Sequence, residues 1–227
     1  MNDELYKEFQ GEVVGNSAPT DEILRGYFPD YNYKGTIIEI GAFDPIIISN
    51  SYHFEKNGWN AFCIDANPYN FKRNDIRKNF LNFACSDFDK DDVDFDVVEC
   101  YHAPSKKSGW TASFSSLKTD FDIVDRFDGR NAIQNIKKIK TKVRKLDTLL
   151  KSEMSEVEKI DILTIDVEGS EMDVLRGFDL EKWKPEILFV EDIFYNNGES
   201  ELSKHILSLG YHLDKVYDYN CFYKKGI

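Results

Sequence analysis

The amino-acid sequence predicts an α/β protein built on a mostly parallel sheet and read as one domain over residues 1–227. Two stretches carry this prediction. Between residues 36 and 87, β-branched runs alternate with helix-patterned segments in the order strand, helix, strand, helix, strand, as right-handed βαβ crossovers require. From residue 147 to residue 192 the same alternation resumes. Two period-two runs at the C-terminus then add an antiparallel hairpin at a sheet edge.

Each element has a local reason. PTDEILRGYF reads as a short helix capped by Thr20, with Asp21 and Glu22 in its first turn, inside an N-terminal helical extension over residues 1–34. TIIEIGA (36–42) is a buried strand ending in glycine, and SNSYHFEKNGW is a helix capped by Asn50 or Ser49 and closed by Gly58. AFCIDA (61–66) is the second strand. PYNFKRNDIRKN, opened by a proline, is the next helix, and LNFACSD (81–87) is the third strand. VDFDVVEC alternates as a further strand. IKKIKTKVRKL suits an edge strand whose lysines discourage aggregation.

Between them, residues 101–135 carry serine, glycine and aromatics with little periodicity, the pattern of a substrate-binding lid rather than a linker. Next come a helix (DTLLKSEM), a buried strand IDILTIDV (160–167), a helix SEMDVLRGF and a strand EILFVED (186–192). The helix ESELSKHILSLG, closed by Gly210, precedes the hairpin YHLDKVYDY–NCFYKK.

The chain holds 41 acidic and 29 basic residues, a formal net charge of −12, which argues against nucleic-acid or anionic-membrane partners. No run approaches the roughly 18 apolar residues of a membrane helix, and MNDELYKEF lacks the apolar core of a signal peptide. The expectation is a soluble, cytoplasmic protein. Cys63, Cys85, Cys100 and Cys221 form no CxxC pair, and three lie in strand-like runs, so buried free thiols are expected. His53, His102, His205 and His212 lack metal-ligand spacing.

In a doubly wound sheet, ligands bind beyond the carboxyl ends of the strands. Acidic residues collect there: Glu39 in the first strand, Asp65 at the second, Asp87 at the third and Asp166 at the fourth. Asp65 comes after Gly41 at close to the roughly 20-residue offset at which a carboxylate meets ribose hydroxyls. GAFDPI is not GxGxxG, so it does not offer the cradle a pyrophosphate needs; Gly41 alone suits a cofactor without phosphate, or a simple turn.

Taken together, IIEIGAFDPIIISNSYHFEKNGWNAFCIDANP (37–68), FACSD (83–87), KLDTLL (145–150), IDILTIDVEGSEMDVLRGF (160–178), PEILFVE (185–191) and the LGYHLD…YNCFY tail resemble the FkbM family of S-adenosylmethionine-dependent methyltransferases. IDVEGSEMDVLRG is the most specific of these blocks. The resemblance implies a Rossmann-like class I methyltransferase fold, a seven-stranded mostly parallel sheet with an antiparallel C-terminal hairpin and helices on both faces. Carried over position by position, Glu39 and Gly41 border the methionine part of S-adenosyl-L-methionine and Asn50 meets its carboxylate. Asp65 holds the ribose, Ala66 and Asn67 flank the adenine, Ser86 and Asp87 read its edge, and Asp166 faces the amino end or the reacting centre. Ser86 and Asp87 equally suit a plain turn.

The resemblance further implies methylation of a hydroxyl on a sugar or other small natural-product acceptor. Two ways of activating that hydroxyl stay open. A carboxylate among Asp166, Glu168 and Glu191, or His53 or His102, serves as general base; or Asp166 with Glu191 and Asp192 holds Mg2+. Glu168 and Glu171 also suit a helix start on their own. In the 101–135 segment, Trp110, Phe114, Phe121 and Arg126 suit stacking on an acceptor ring or packing within the lid. The rivals are a non-catalytic scaffold on the same fold, a nicotinamide-dependent sugar oxidoreductase, which lacks its glycine fingerprint and YxxxK pair here, and an RNA-cap methyltransferase, which the net charge disfavours.

Overall fold

The computed structural model describes residues 5–68, 76–100, 115–117, 133–196 and 199–226. Among them are a seven-stranded, mostly parallel sheet, a three-stranded sheet and six helices. The strands of the large sheet are β1 (Thr36–Ile40), β2 (Asn60–Ile64), β3 (Phe80–Leu81), β7 (Ile162–Ile165), β8 (Ile187–Glu191), β9 (Tyr211–Tyr217) and β10 (Asn220–Lys225). They lie in the order β3-β2-β1-β7-β8-β10-β9. β10 runs antiparallel between β8 and β9, so the C-terminal hairpin ends the sheet as expected. The chain builds outward from β1 through β2 to β3, then returns to build the other half from β7. The switch in strand order therefore falls between β1 and β7, where a crevice opens at the carboxyl ends.

Helices α1 (Thr20–Tyr27) and α2 (Tyr52–Lys56) cover one face; α3 (Leu146–Ser152), α4 (Glu171–Arg176), α5 (Leu180–Trp183) and α6 (Glu201–Ser208) cover the other. The strand period of two sorts the core between them. Ile38, Ile40, Phe62, Ile64, Leu163 and Ile165 meet Leu146, Leu149, Val174, Leu175, Leu202 and Ile206. Ile37, Ala61, Ile162 and Phe189 meet Ile23, Leu24 and Phe54 on the opposite side. Cys63, Cys85 and Cys221 are free and buried. The side chain of Cys100 lies outside the described residues, as does most of the PYNFKRNDIRKN helix.

The structure corrects three local expectations. The run 81–87 is not one strand: Phe80–Leu81 pairs with β2, whereas Ala84–Cys85 (β4) joins the small sheet. Between the two, the Asn82 amide turns back to donate to the carbonyls of Asp65 and Ala66. The lysine-rich strand β6 (Ile133–Arg144) is not an edge strand but the middle of the small sheet, in the order β4-β6-β5, with β5 spanning Lys90–Cys100. Its lysines face an acidic partner, since Lys138 pairs with Asp96 and Lys140 with Asp94 across the antiparallel register. Opposite charges on facing strands favour that pairing over an exposed edge.

Finally, Thr20 does not cap α1. Pro19 holds the cap position, and the Thr20 hydroxyl bonds to the Asn50 side chain. For α2, Ser51 holds the cap position, and Ser49 Oγ accepts from the amide of Tyr52 at 3.1 Å.

Candidate active site

Register determines which side chains meet at the crevice. Ile40 of β1 pairs with Ile64 of β2 and with Ile165 of β7; Ile64 pairs with Leu81, Ile165 with Val190, and Glu191 with Asn220. The next residues along these strands form one row across the sheet: Asn82, Asp65, Gly41, Asp166, Glu191 and Asn220. Neighbouring strands lie about 4.8 Å apart, so Asp65 and Asp166 flank Gly41 with roughly 10 Å between their backbones.

A cleft enclosing about 790 Å³, its open mouth included, lies over the left half of this row. Gly41, Asn50, Asp65, Ala66, Asn67, Asp166 and Glu168 line it. Its far wall comes from the small sheet and the segment bridged to it: Cys85, Phe95, Ser115, Ser116 and Leu117. Those last three are the described part of the 101–135 segment that reaches the cleft. His102, Trp110, Phe114, Phe121 and Arg126 lie outside the described residues.

Gly41 is required by geometry. Its φ is +82°, and a Cβ there would overlap the Asp166 carbonyl oxygen. Asp65 reaches back over the turn, where Oδ2 accepts from the amide of Phe43 at 2.8 Å and Oδ1 from the amide of Asn67 at 2.7 Å. The two amides thus hold the carboxylate in the lining of the cleft.

Glu39 is elsewhere. One residue off the register of Ile38 and Ile40, it points to the α1–α2 face, is 1% exposed and does not line the cleft. Its carboxylate accepts from Ser49 Oγ at 2.9 Å, from the amide of Asn50 at 2.6 Å and from Ser51 Oγ. Arg77, donating to Ser51 Oγ at 2.6 Å and Glu55 at 2.7 Å, completes this buried brace. Burial pushes the Glu39 carboxyl upward while Arg77 and the hydroxyls pull against it. Glu39 therefore braces the 49–51 loop, and through it Asn50.

Ser86 and Asp87 also miss the cleft. The Ser86 carbonyl is packed against Gly177, its amide donates to Arg144, and Asp87 is exposed. His53, a candidate base, is fully buried; its Nδ1 bonds to the Glu8 carbonyl at 3.0 Å and its ring stacks on Phe9 at 4.3 Å. Burial lowers its pKa. It anchors the N-terminal segment beneath α2.

At the other half of the row, acids meet acids. Asp166, Glu168 and Glu191 each bring a carboxylate oxygen within 4.8 Å of the others. Glu168 stands at φ +58°, a left-handed conformation that a glycine would take with less strain. Burial, then the charges of Glu12 and Glu171, raises Asp166 to about 8. Glu168 and Glu191 are raised by burial and by their acidic neighbours, Asp166 first. Glu171, raised by burial to about 7, accepts from the amides of Val167 and Gly169, both at 3.0 Å. Asp192 does not join them; its Oδ2 is taken by the hydroxyls of Ser200 and Ser203.

A model of the Methyltransferase FkbM domain matches residues 39–219. The chain belongs to the FkbM methyltransferase family. The match spans the row from β1 to the turn before β10, and no curated protein matches the chain. No helix among the described residues is long and apolar enough to cross a membrane.

Sequence reasoning had no signal for Glu12, Arg77 or Phe95. Glu12 lies in a segment without periodicity, Arg77 in an unremarkable polar run, and Phe95 on a strand whose sheet was not foreseen. Only chain-distant packing gives each its place.

Proposed function

We propose that this FkbM-family chain is an S-adenosyl-L-methionine-dependent O-methyltransferase of the class I, Rossmann-like type, acting on a carbohydrate or other small hydroxyl-bearing acceptor. The observation that carries this reading is the Gly41–Asp65 pair beside the switch point, in a cleft lined by both polar and apolar side chains. Asp65 suits the ribose hydroxyls. Ala66 and Asn67, with Phe83, Cys85 and Phe95 across the cleft, suit an adenine, and Asn50 and Asp166 suit the amino-acid end.

Methyl transfer is an in-line displacement. The acceptor oxygen attacks the methyl carbon, the carbon–sulfur bond breaks, and its electron pair stays on sulfur as S-adenosylhomocysteine leaves. Alignment therefore supplies much of the acceleration. The acceptor's proton must go elsewhere, and Asp166 and Glu168 are the carboxylates lining the cleft that suit taking it. Ser115 to Leu117 support a substrate role for the 101–135 segment, and the bridge from Gly11 to Ile48 supports reading the N-terminal segment as an extension of one domain. Buried free thiols fit a reducing compartment such as the cytoplasm.

Calorimetry with S-adenosylmethionine, S-adenosylhomocysteine and NAD+ tests the cofactor. Binding of the first two, no heat with NAD+ and a loss of roughly tenfold or more in Asp65→Ala are expected. A folded chain that binds none of them overturns the enzyme reading in favour of a scaffold. Binding of NAD+ alone overturns it in favour of an oxidoreductase.

A further inference from the structure

In the acidic half of the row, two buried oxygen atoms have no hydrogen-bond partner among the described residues. Glu191 is only 6% exposed, and its Oε2 has no hydrogen-bond partner. Asn220, its register partner on β10, is 1% exposed and its Oδ1 is likewise without a partner, while its amide nitrogen donates to Glu12 at 3.4 Å. A buried carboxylate oxygen and a buried amide oxygen on register-paired residues both call for something electropositive. The local backbone amides of Val167 and Gly169 are already given to Glu171. The charges acting on Asp166, Glu168 and Glu191 are largely one another's and those of Glu12 and Glu171.

We propose that Asp166, Glu168 and Glu191 form a binding site for a hard divalent cation such as Mg2+ or Mn2+, with Asn220 Oδ1 beside it and Glu12 closing it from the N-terminal segment. The spread of the three carboxylate oxygens, within 4.8 Å, matches the widest separation two ligands take about one ion at roughly 2.4 Å, and a modest contraction serves a smaller one. The donor set is all oxygen, without histidine or cysteine, which selects Mg2+, Mn2+ or Ca2+ over zinc or copper. Glu191 stands behind the cleft, whereas Asp166 and Glu168 line it. The cation therefore sits at the cleft floor with its open side toward the space an acceptor would enter. There it would bind the acceptor hydroxyl and ease loss of its proton, a role that rests on the methyl-transfer reading. The binding site itself does not.

The test is titration of the full chain with Mn2+ at pH 8, following free Mn2+ by electron paramagnetic resonance and displacing it with Mg2+. One saturable site is expected, weakened by roughly tenfold or more in Glu191→Gln and Asp166→Asn. The exposed Glu201→Gln, which is not one of the cluster's acids, should bind like the parent. Thermal melting in chelator provides the folding control. Each cluster variant removes one charge from a mutually repelling group, so it should melt no lower than the parent. A folded parent without a saturable site, or cluster variants that bind like the parent, overturns the proposal. Calorimetry of S-adenosylmethionine in chelator keeps the two readings apart: cofactor binding without Mn2+ binding removes the cation site alone.

Discussion

Asp65 and Asp166 leave strands of the same sheet at the same level, on either side of one glycine, yet their surroundings are opposite. Asp65 is met by two backbone amides, and its charge is solvated by the protein before any ligand arrives. Asp166 meets Glu168 and Glu191 and is held up near 8 by burial and by Glu12 and Glu171. The difference lies in the turn at the end of each strand. The turns after β1 and β2 each present an amide hydrogen to Asp65, from Phe43 and Asn67; after β7 the turn VEGS presents a second acid and gives its amides to Glu171. A carboxylate already solvated is suited to hold neutral hydroxyls. One facing its own kind is suited to a proton or a cation.

The comparison breaks most sharply at its pivot. Gly41→Ala would drive a Cβ into the Asp166 carbonyl at a left-handed φ and separate the two halves. A loss of about 4 kcal/mol is expected in urea unfolding, enough to prevent folding in a marginal domain. Next comes the brace. Glu39→Ala strands Ser49, Ser51 and the amide of Asn50 without an acceptor, so unfolding should ease by about 3 kcal/mol. If instead stability holds and only cofactor affinity falls, Glu39 belongs with the ligand-facing residues after all.

Buried acids in two places, Asp21 on α1 and Glu171 beside the acid cluster, also predict a pH dependence. Asp21 and Glu171 are each raised by burial to about 7 in the folded chain, against about 4 in the unfolded one. Between those values the folded chain holds protons that the unfolded chain has released. Stability should therefore rise as pH falls from 7 toward 4.5, with a slope on the order of 1 kcal/mol per pH unit. Chemical denaturation at pH 7.5, 6.5 and 5.5 in chelator checks the sign, and a midpoint that falls on acidification refutes it. The smallest effect is Glu168→Gly. Relief of the left-handed strain roughly cancels the added freedom of the unfolded chain, and the lost repulsion leaves a gain of about 0.5 kcal/mol by thermal melting.

Much of this was written locally. Periodicity within TIIEIGA, AFCIDA, IDILTIDV and EILFVED reported buried strands, because burial on both faces demands continuous apolar runs whatever the neighbours are. The glycine ending β1 and the acid ending β2 marked the cofactor half, since both act through the backbone of a tight turn. The family itself was legible in IDVEGSEMDVLRG.

The features that escaped depend on partners far away in the chain. Whether 81–87 was one strand or two depended on β2 and β6 each claiming a piece, and whether the lysine strand stood at an edge depended on the acidic strand β5. Glu39, Asp65 and Asp166 look alike as acids near strand ends. Glu39 lies within its strand, so the period of two turns it to the helix face, while Asp65 and Asp166 lie one residue beyond theirs and open onto the crevice. Glu12 and Asn220 reach the acid cluster only because β10 pairs beside β8 and the N-terminal segment brings Glu12 to Asn220. Side-chain period is a property of a few consecutive residues; register and the choice of neighbour are set by packing between segments that the chain separates, and only the folded sheet determines them.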